Sequence, residues 1–272
     1  MIPVKLAFST LGCPNWTWDE IFATAKDMRI DGIEVRGVGR EMYTPHNPLF
    51  SEQNAPAVRE RLAASGLEIS AFTSGAELGV PARRQQAMDE VRDYIAMAHR
   101  MGVPYVRVLI SGQLQPDDAD FNQAKALYAM LCEEAREKGV CLLMETNGIF
   151  CDTALLRRFM DGCDKQSAGV LWDLHHPYRF GGETPEQSFK NLGEWVRYVH
   201  VKDSVVKDGQ LVYRMMGHGD LPVFDALRLL KQADYQGYIT LEWVKRWNQE
   251  LEEPGVVFYH YMTYMDYLME QL

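Results

Sequence analysis

The sequence predicts a closed barrel of eight parallel strands, each followed by a helix, in one domain over residues 1–272. Three observations predict it. Eight short apolar runs alternate with longer amphipathic stretches along the 272 residues. No linker, low-complexity run or shift in composition interrupts the alternation. Several runs are apolar on consecutive residues, as Val140-Cys141-Leu142-Leu143-Met144 shows, which is the pattern of parallel strands covered on both faces. Strict alternation gives a parallel sheet with crossover helices, and eight units in a chain of this length favour closure.

The runs read as strands are 4–9, 32–36, 67–72, 105–110, 140–145, 169–173, 198–201 and 238–242. Thr17-Trp18-Asp19-Glu20 is a capping-box pattern. It opens a helix whose Ile21, Phe22, Ala25 and Met28 fall near one face, and an Asp31-Gly32 turn leads to the next strand. A longer helix over 82–101 stops at Met101-Gly102-Val103-Pro104, with Gly after the last turn and then Pro. Another, over 117–138, stops at Gly139, and shorter ones cover 184–192 and 222–233. The aromatic-rich stretch 254–272 reads as a final helix on the outer wall or, more sharply, as a subunit interface of a homo-oligomer. An open doubly wound sheet is the competing architecture. Thr10-Leu11-Gly12-Cys13-Pro14 after the first strand lacks the Gly-x-Gly-x-x-Gly cradle that it would use.

The formal net charge of −10 argues against a nucleic-acid partner. The 5 Cys are odd in number and irregularly spaced, with no C-x-x-C pair, so reduced thiols in a cytoplasmic protein are expected. Met1-Ile2-Pro3-Val4-Lys5 has no signal-peptide pattern. No apolar run is long enough to span a bilayer.

In a barrel the residues at the C-terminal ends of strands line the site. Here those ends carry Glu145-Thr146-Asn147, Trp172-Asp173-Leu174-His175-His176, His200-Val201-Lys202-Asp203 and Glu242-Trp243. Singly, each carboxylate reads as a helix cap or surface ion pair, and His200 as a core histidine. Together they are different. Three carboxylates ending buried runs near one axis are costly without a cation. Oxygen and imidazole donors suit Mn²⁺, Mg²⁺, Co²⁺ or Zn²⁺.

The order Glu145, Trp172-Asp173-x-x-His176, His200-Val201-Lys202-Asp203, Gly217-x-Gly219-Asp220 and Glu242-Trp243 resembles the sugar-phosphate isomerase/epimerase superfamily, the xylose-isomerase-like TIM barrels. Asp31-Gly32-Ile33-Glu34-Val35 is similar to that family's second strand. The resemblance implies one divalent metal, Mn²⁺ before the others, held by Glu145, Asp173, His200 and Glu242. It implies a substrate contact at His176, although which of His175 and His176 faces inward stays open. Lys202 is either a substrate contact or a solvated lysine. Glu34, Arg36 and Arg107 read equally well as ion-pair partners in the barrel core. His218 stands where the family often has an acid.

The implied chemistry is isomerisation or epimerisation of a sugar, polyol-derived ketone or small hydroxy-ketone. A proton leaves the carbon beside a metal-polarised carbonyl, with Glu145 and Glu242 as base and acid. A dehydratase or lyase similar to inosose dehydratase is the alternative on the same site. Ketose 3-epimerases carry an arginine soon after the strand-seven histidine. Here Val205-Val206-Lys207 fills that stretch and Arg214 is the nearest arginine downstream, a departure from that subgroup. An endonuclease IV-like phosphodiesterase needs histidines after strands three and four that are missing here. A non-catalytic sugar-binding barrel needs none of the four ligand types. Residues 41–50 read as a substrate-covering or ordinary surface loop, and Trp16, Trp18 and Trp172 as sugar-facing walls or core.

Overall fold

Eight parallel strands close into a barrel in the computed structural model, which describes residues 4–272. Residues 1–3, part of the stretch read as lacking a signal peptide, lie outside the described residues. Around the wall run β1 (Lys5–Ser9), β2 (Gly32–Val35), β3 (Glu68–Glu77), β4 (Tyr105–Leu109), β5 (Cys141–Glu145), β6 (Ala168–Asp173) and β7 (Val196–Val201). A hairpin of β8 (Asp203–Lys207) and β9 (Gln210–Arg214) stands apart, and β10 (Tyr238–Leu241) closes the barrel between β7 and β1.

Successive side chains on a strand point to opposite sides, and this alternation places the site. Ala7, Ala71, Cys141, Leu143, Leu171, Tyr198 and Tyr238 pack together inside the barrel. The alternate positions, among them Phe8, Leu142, Val170, Val199 and Ile239, join the large core between strands and helices. Burying a side chain of that size stabilises the fold by roughly 1.5–3 kcal/mol. Moving two residues at a time toward the C-terminal end, Leu143 leads to Glu145 and Leu171 to Asp173. Tyr198 leads to His200 and Lys202, and Tyr238 to Thr240 and Glu242. The interior therefore turns from apolar to ionisable near its C-terminal mouth. At the boundary the Tyr198 hydroxyl lies 2.7 Å from both Ser70 Oγ and Thr240 Oγ1, so this buried phenol is satisfied.

The helices follow the expected signals closely. α1 (Trp18–Met28) has the Thr17/Glu20 capping box and buries Ile21, Phe22, Ala25 and Met28. Two helices were not foreseen, α2 (Ala55–Ala63) and later α5 (Thr153–Met160). α3 (Arg84–Met101) stops at Gly102, whose φ of 69° is left-handed. α4 (Phe121–Glu137) starts after its expected N-terminus because Asp120 accepts the Gln123 amide at 2.9 Å and acts as the cap. α6 (Pro185–Leu192), α7 (Val223–Gln232) and α8 (Pro254–Gln271) occupy the expected stretches. β3 runs past residue 72 to Glu77.

The β8–β9 hairpin was also unforeseen. Asp208 and Gly209 link its strands with φ of 51° and 75°. Two left-handed residues form the turn that matches strand twist. On α8, Phe258, Tyr261, Met265 and Leu268 are buried, and Phe258 stacks on Phe8 at 4.2 Å. That is the plain reading of the C-terminal stretch, a helix on the outer wall. Among the described residues no helix is long and apolar enough to cross a membrane, and all five cysteines are free thiols.

Candidate active site

Glu145, Asp173, His200 and Glu242 each offer one ligand atom, and the four atoms lie within 4.8 Å of one another. The barrel brings them there. Asp173 stands opposite His200 in the β6–β7 register, and His200 opposite Thr240 in the β7–β10 register. β5 and β10 flank that pair in the strand order, so the two glutamates bracket Asp173 and His200. All four residues are buried, and no second such group occurs among the described residues.

His200 shows how a cation fits. Its Nε2 lies 2.5 Å from Glu34 Oε2, across the barrel. Its Nδ1 has no hydrogen-bond partner and faces Glu242 Oε1 at 3.5 Å, with Glu145 Oε1 and Asp173 Oδ2 both at 4.0 Å. With Nε2–H donated to Glu34, the Nδ1 lone pair is turned into three carboxylates. A carboxylate behind a histidine is the usual way to orient a metal-binding imidazole. Three carboxylate oxygens and one orphaned imidazole nitrogen, buried together, match a divalent cation.

The charges of the cluster follow from burial and neighbours. Burial raises Glu145 to about 7; Arg107 opposes the rise and Glu242 adds to it. Burial pushes Asp173 the same way, yet His176, Lys202 and His200 overcome it and hold this carboxyl well below its ordinary range. Burial favours neutral His200, but Glu34 and Glu242 outweigh it and raise the imidazole to about 9. Without a metal the site therefore keeps a proton that a cation would displace. Lys202 is also buried, and its ammonium touches Asp173 Oδ2 and lies 2.5 Å from Glu242 Oε2. These two carboxylates more than offset its desolvation and keep it charged.

A cavity of about 450 Å³ opens over the cluster at the C-terminal end of the barrel. Glu145, Glu242, His176 and Lys202 all line it. His176 is the inward histidine: neither ring nitrogen has a hydrogen-bond partner, and Nε2 lies 3.6 Å from Asp173 Oδ2. Burial lowers it to about 4, so the ring is neutral. His175 turns away, with Nε2 at 3.0 Å from Ser204 Oγ and its ring stacked on Tyr213. Lys202 is thus in the cavity wall and not solvated.

Several other expectations resolve differently. Arg214 sits half-buried on β9 and does not line the cavity, whereas its neighbour Tyr213 does. Trp172 and Trp18 are core residues and Trp16 packs on Phe258; the tryptophan at the cavity is Trp247, which lies 63% exposed. Residues 41–50 do not border the cavity. Tyr43 reaches Asp93 on α3, and Phe50 is fully buried. His218 stands beside His260, away from the cluster. Glu34 is indeed an ion-pair partner inside the barrel, of His200. Arg107 lies 3.2 Å from Glu145, and Arg36 faces the cavity.

Asp203, the last residue of His200-Val201-Lys202-Asp203, has a structural role that the sequence reading missed. Its carboxylate accepts backbone amides from Ser204 (2.8 Å), Gly217 and Gly219 (2.9 Å each) and Leu221 (3.2 Å). It ties the Gly217-His218-Gly219-Asp220 loop to the end of β7. Nothing larger than hydrogen fits at Gly219, where a Cβ would collide with Asp203.

No curated protein matches the chain. Solved structures do resemble it. The probable 3-DHS dehydratase AsbF from Bacillus anthracis superposes with a TM-score of 0.77 at 14% identity, covering 97% of this chain and 99% of that one. A xylose isomerase domain protein from Planctomyces limnophilus gives 0.76 at 16% identity, with 99% and 97% covered. The 3-keto-D-glucoside 4-epimerase YcjR from E. coli gives 0.73 at 16% identity, with 98% and 99% covered. At these identities the likeness is one of fold. The sequence itself matches the family model described as xylose isomerase-like TIM barrel over residues 22–256, and the chain belongs to that family.

Proposed function

We propose that the cavity is the active site of a divalent-metal-dependent isomerase or epimerase acting on a sugar, a polyol-derived ketone or a small hydroxy-ketone, in one catalytic domain over residues 1–272. The observation that carries this reading is the His200 Nδ1, orphaned and aimed at three buried carboxylates. Glu145, Asp173, His200 and Glu242 hold the metal, with Mn²⁺ first and Mg²⁺, Co²⁺ or Zn²⁺ as alternatives. When bound, the ion supplies Lewis-acid polarisation of a substrate carbonyl and offsets the carboxylate repulsion.

The chain's own groups do the rest. Glu145 and Glu242 both line the cavity from either side of Asp173 and His200. One removes the proton beside the carbonyl and the other returns one. Burial makes Glu145 the more basic of the two. Return to the opposite face inverts a stereocentre, and return to the neighbouring carbon moves the carbonyl. Neutral His176 accepts or donates a hydrogen bond to a substrate hydroxyl, and Lys202 holds Asp173 and Glu242 in place while its ammonium faces the cavity. Tyr213, rather than Arg214, is the substrate contact from the hairpin.

Dehydration is the second reading, and one observation favours it. The Lys202 ammonium borders the cavity beside Glu242, where it can protonate a departing hydroxyl. Solvent-deuterium incorporation across a panel of ketoses, inososes and hydroxy-keto acids tests the proposal. Exchange at the carbon beside the carbonyl, lost in Glu145→Gln or Glu242→Gln, is the expected result. Full turnover by either variant on a substrate of the wild type contradicts the assigned roles.

A further inference from the structure

We infer that the substrate carries a carboxylate, bound by the guanidinium groups of Arg36 and Arg107 on the cavity wall that faces the metal cluster. The inference rests on the reading that the cavity takes a hydroxy-ketone, and it names the class of that hydroxy-ketone.

Arg36 follows β2 and Arg107 lies within β4, and both line the cavity. Between them runs β3, which presents Gly75. The Arg36 Nη2 lies 3.2 Å from where a Cβ on Gly75 would stand, so the missing side chain gives the guanidinium its place. No carboxylate lies within 4.0 Å of Arg36, and its side chain donates no hydrogen bond within the protein. Glu90, which binds the Gly75 amide at 2.5 Å, is beyond ion-pair reach.

Arg107 is 5% exposed. It contacts Glu145 through Nε alone, at 3.2 Å and without hydrogen-bond alignment, and its two Nη groups also find no protein acceptor. Two neighbouring guanidiniums, unfilled and facing one cavity, repel each other: burial and then Arg107 lower the proton affinity of Arg36. Buried cations without acceptors are costly, and an anion of matching shape removes the cost. The planar fork of arginine fits carboxylate oxygens in pairs.

A phosphate monoester shares this chemistry. Glu145 and Glu77 line the same cavity, and these carboxylates repel a dianion more strongly than a monoanion. The structure therefore points to a carboxylate.

The test is isothermal titration of the Mn²⁺-loaded protein with paired probes that differ in a terminal carboxylate for hydroxymethyl: D-fructuronate with D-fructose, and D-tagaturonate with D-tagatose. D-Fructose 6-phosphate is the phosphate arm. The acids should bind about tenfold or more tightly than the neutral sugars. Arg36→Gln should abolish most of that advantage while leaving the neutral sugars unchanged, and Arg36→Lys should keep part of it. Equal affinity for acid and neutral sugar overturns the inference, as does an acid advantage that survives in Arg36→Gln. Tighter binding of the phosphate ester than of either acid overturns the carboxylate assignment. None of these outcomes depends on Glu145 or Glu242 moving a proton, so the inference and the proposed chemistry fail separately.

Discussion

His200 and Glu34 meet across the barrel, with Nε2 and Oε2 2.5 Å apart and both side chains buried. Glu34 contributes no atom to the four-residue cluster. It sets which nitrogen of His200 is free to bind, and several consequences can be measured.

Removing Glu34 should weaken metal binding without removing a ligand. Glu34→Ala leaves the imidazole free to turn and to change tautomer, and outer partners of this kind are worth about 10–100-fold in metal affinity. Glu34→Gln keeps an acceptor and should lose less. Competitive titration with a Mn²⁺ chelator measures both, and wild-type affinity in Glu34→Ala contradicts the assignment.

Lys202 should matter most when the metal is absent. Its ammonium is the cation between Asp173 and Glu242. Lys202→Met leaves those two carboxylates buried and unpaired, and breaking a buried ion pair costs about 3–5 kcal/mol. Denaturant unfolding in chelator should show that loss, and saturating Mn²⁺ should recover much of it. An equal loss in both conditions would show that Lys202 acts by packing alone.

Metal uptake should strengthen as pH rises from about 6 to 9. Metal-free His200 is raised to about 9 and Glu145 to about 7. At pH 7 binding therefore releases the His200 proton and about half a proton from Glu145. The stability of the metal-free protein has a matching sign. A glutamate raised above its unfolded value contributes stability below about pH 4.5, the ordinary Glu value. That contribution is lost as pH climbs through about 7. Calorimetry in buffers of different ionisation enthalpy counts the released protons, and Glu145→Gln should release fewer.

Asp203 should control the loop rather than the chemistry. Asp203→Ala strands four backbone amides, although water can reach part of the loop. A cost of about 2–3 kcal/mol is expected. Gly219→Ala should be destabilising as well, because its Cβ has no room beside Asp203. Thermal melts and limited proteolysis around residues 215–221 report both effects. Metal stoichiometry should be unchanged in Asp203→Ala.

Much of this was legible in the sequence because barrel geometry turns strand order into position. Runs such as 140–145 and 238–242 ended in ligand-type residues, and the closed barrel carried those ends to one mouth. Parity along the strand held further information. Gly32, Glu34 and Arg36 share one face, as do Tyr105 and Arg107, so both arginines were bound to point inward. Whether an inward arginine finds an acid depends on the strand next to it, and a glycine at position 75 is not visible from the sequence of β2. α2 and α5 were missed because nine and eight residues carry too short a stripe to stand out. The β8–β9 hairpin did have a signal, the Asp208-Gly209 pair between short apolar runs. With it came Tyr213, the residue that replaces Arg214 at the cavity.

Equilibrium binding of Mn²⁺ to the wild type and to His200→Ala, measured as ions bound per chain, tests the central claim most directly. One ion per wild-type chain, with at least a tenfold weaker affinity in His200→Ala, is the predicted result. A wild type that binds no divalent ion, or a His200→Ala variant that binds as tightly as the parent, contradicts it.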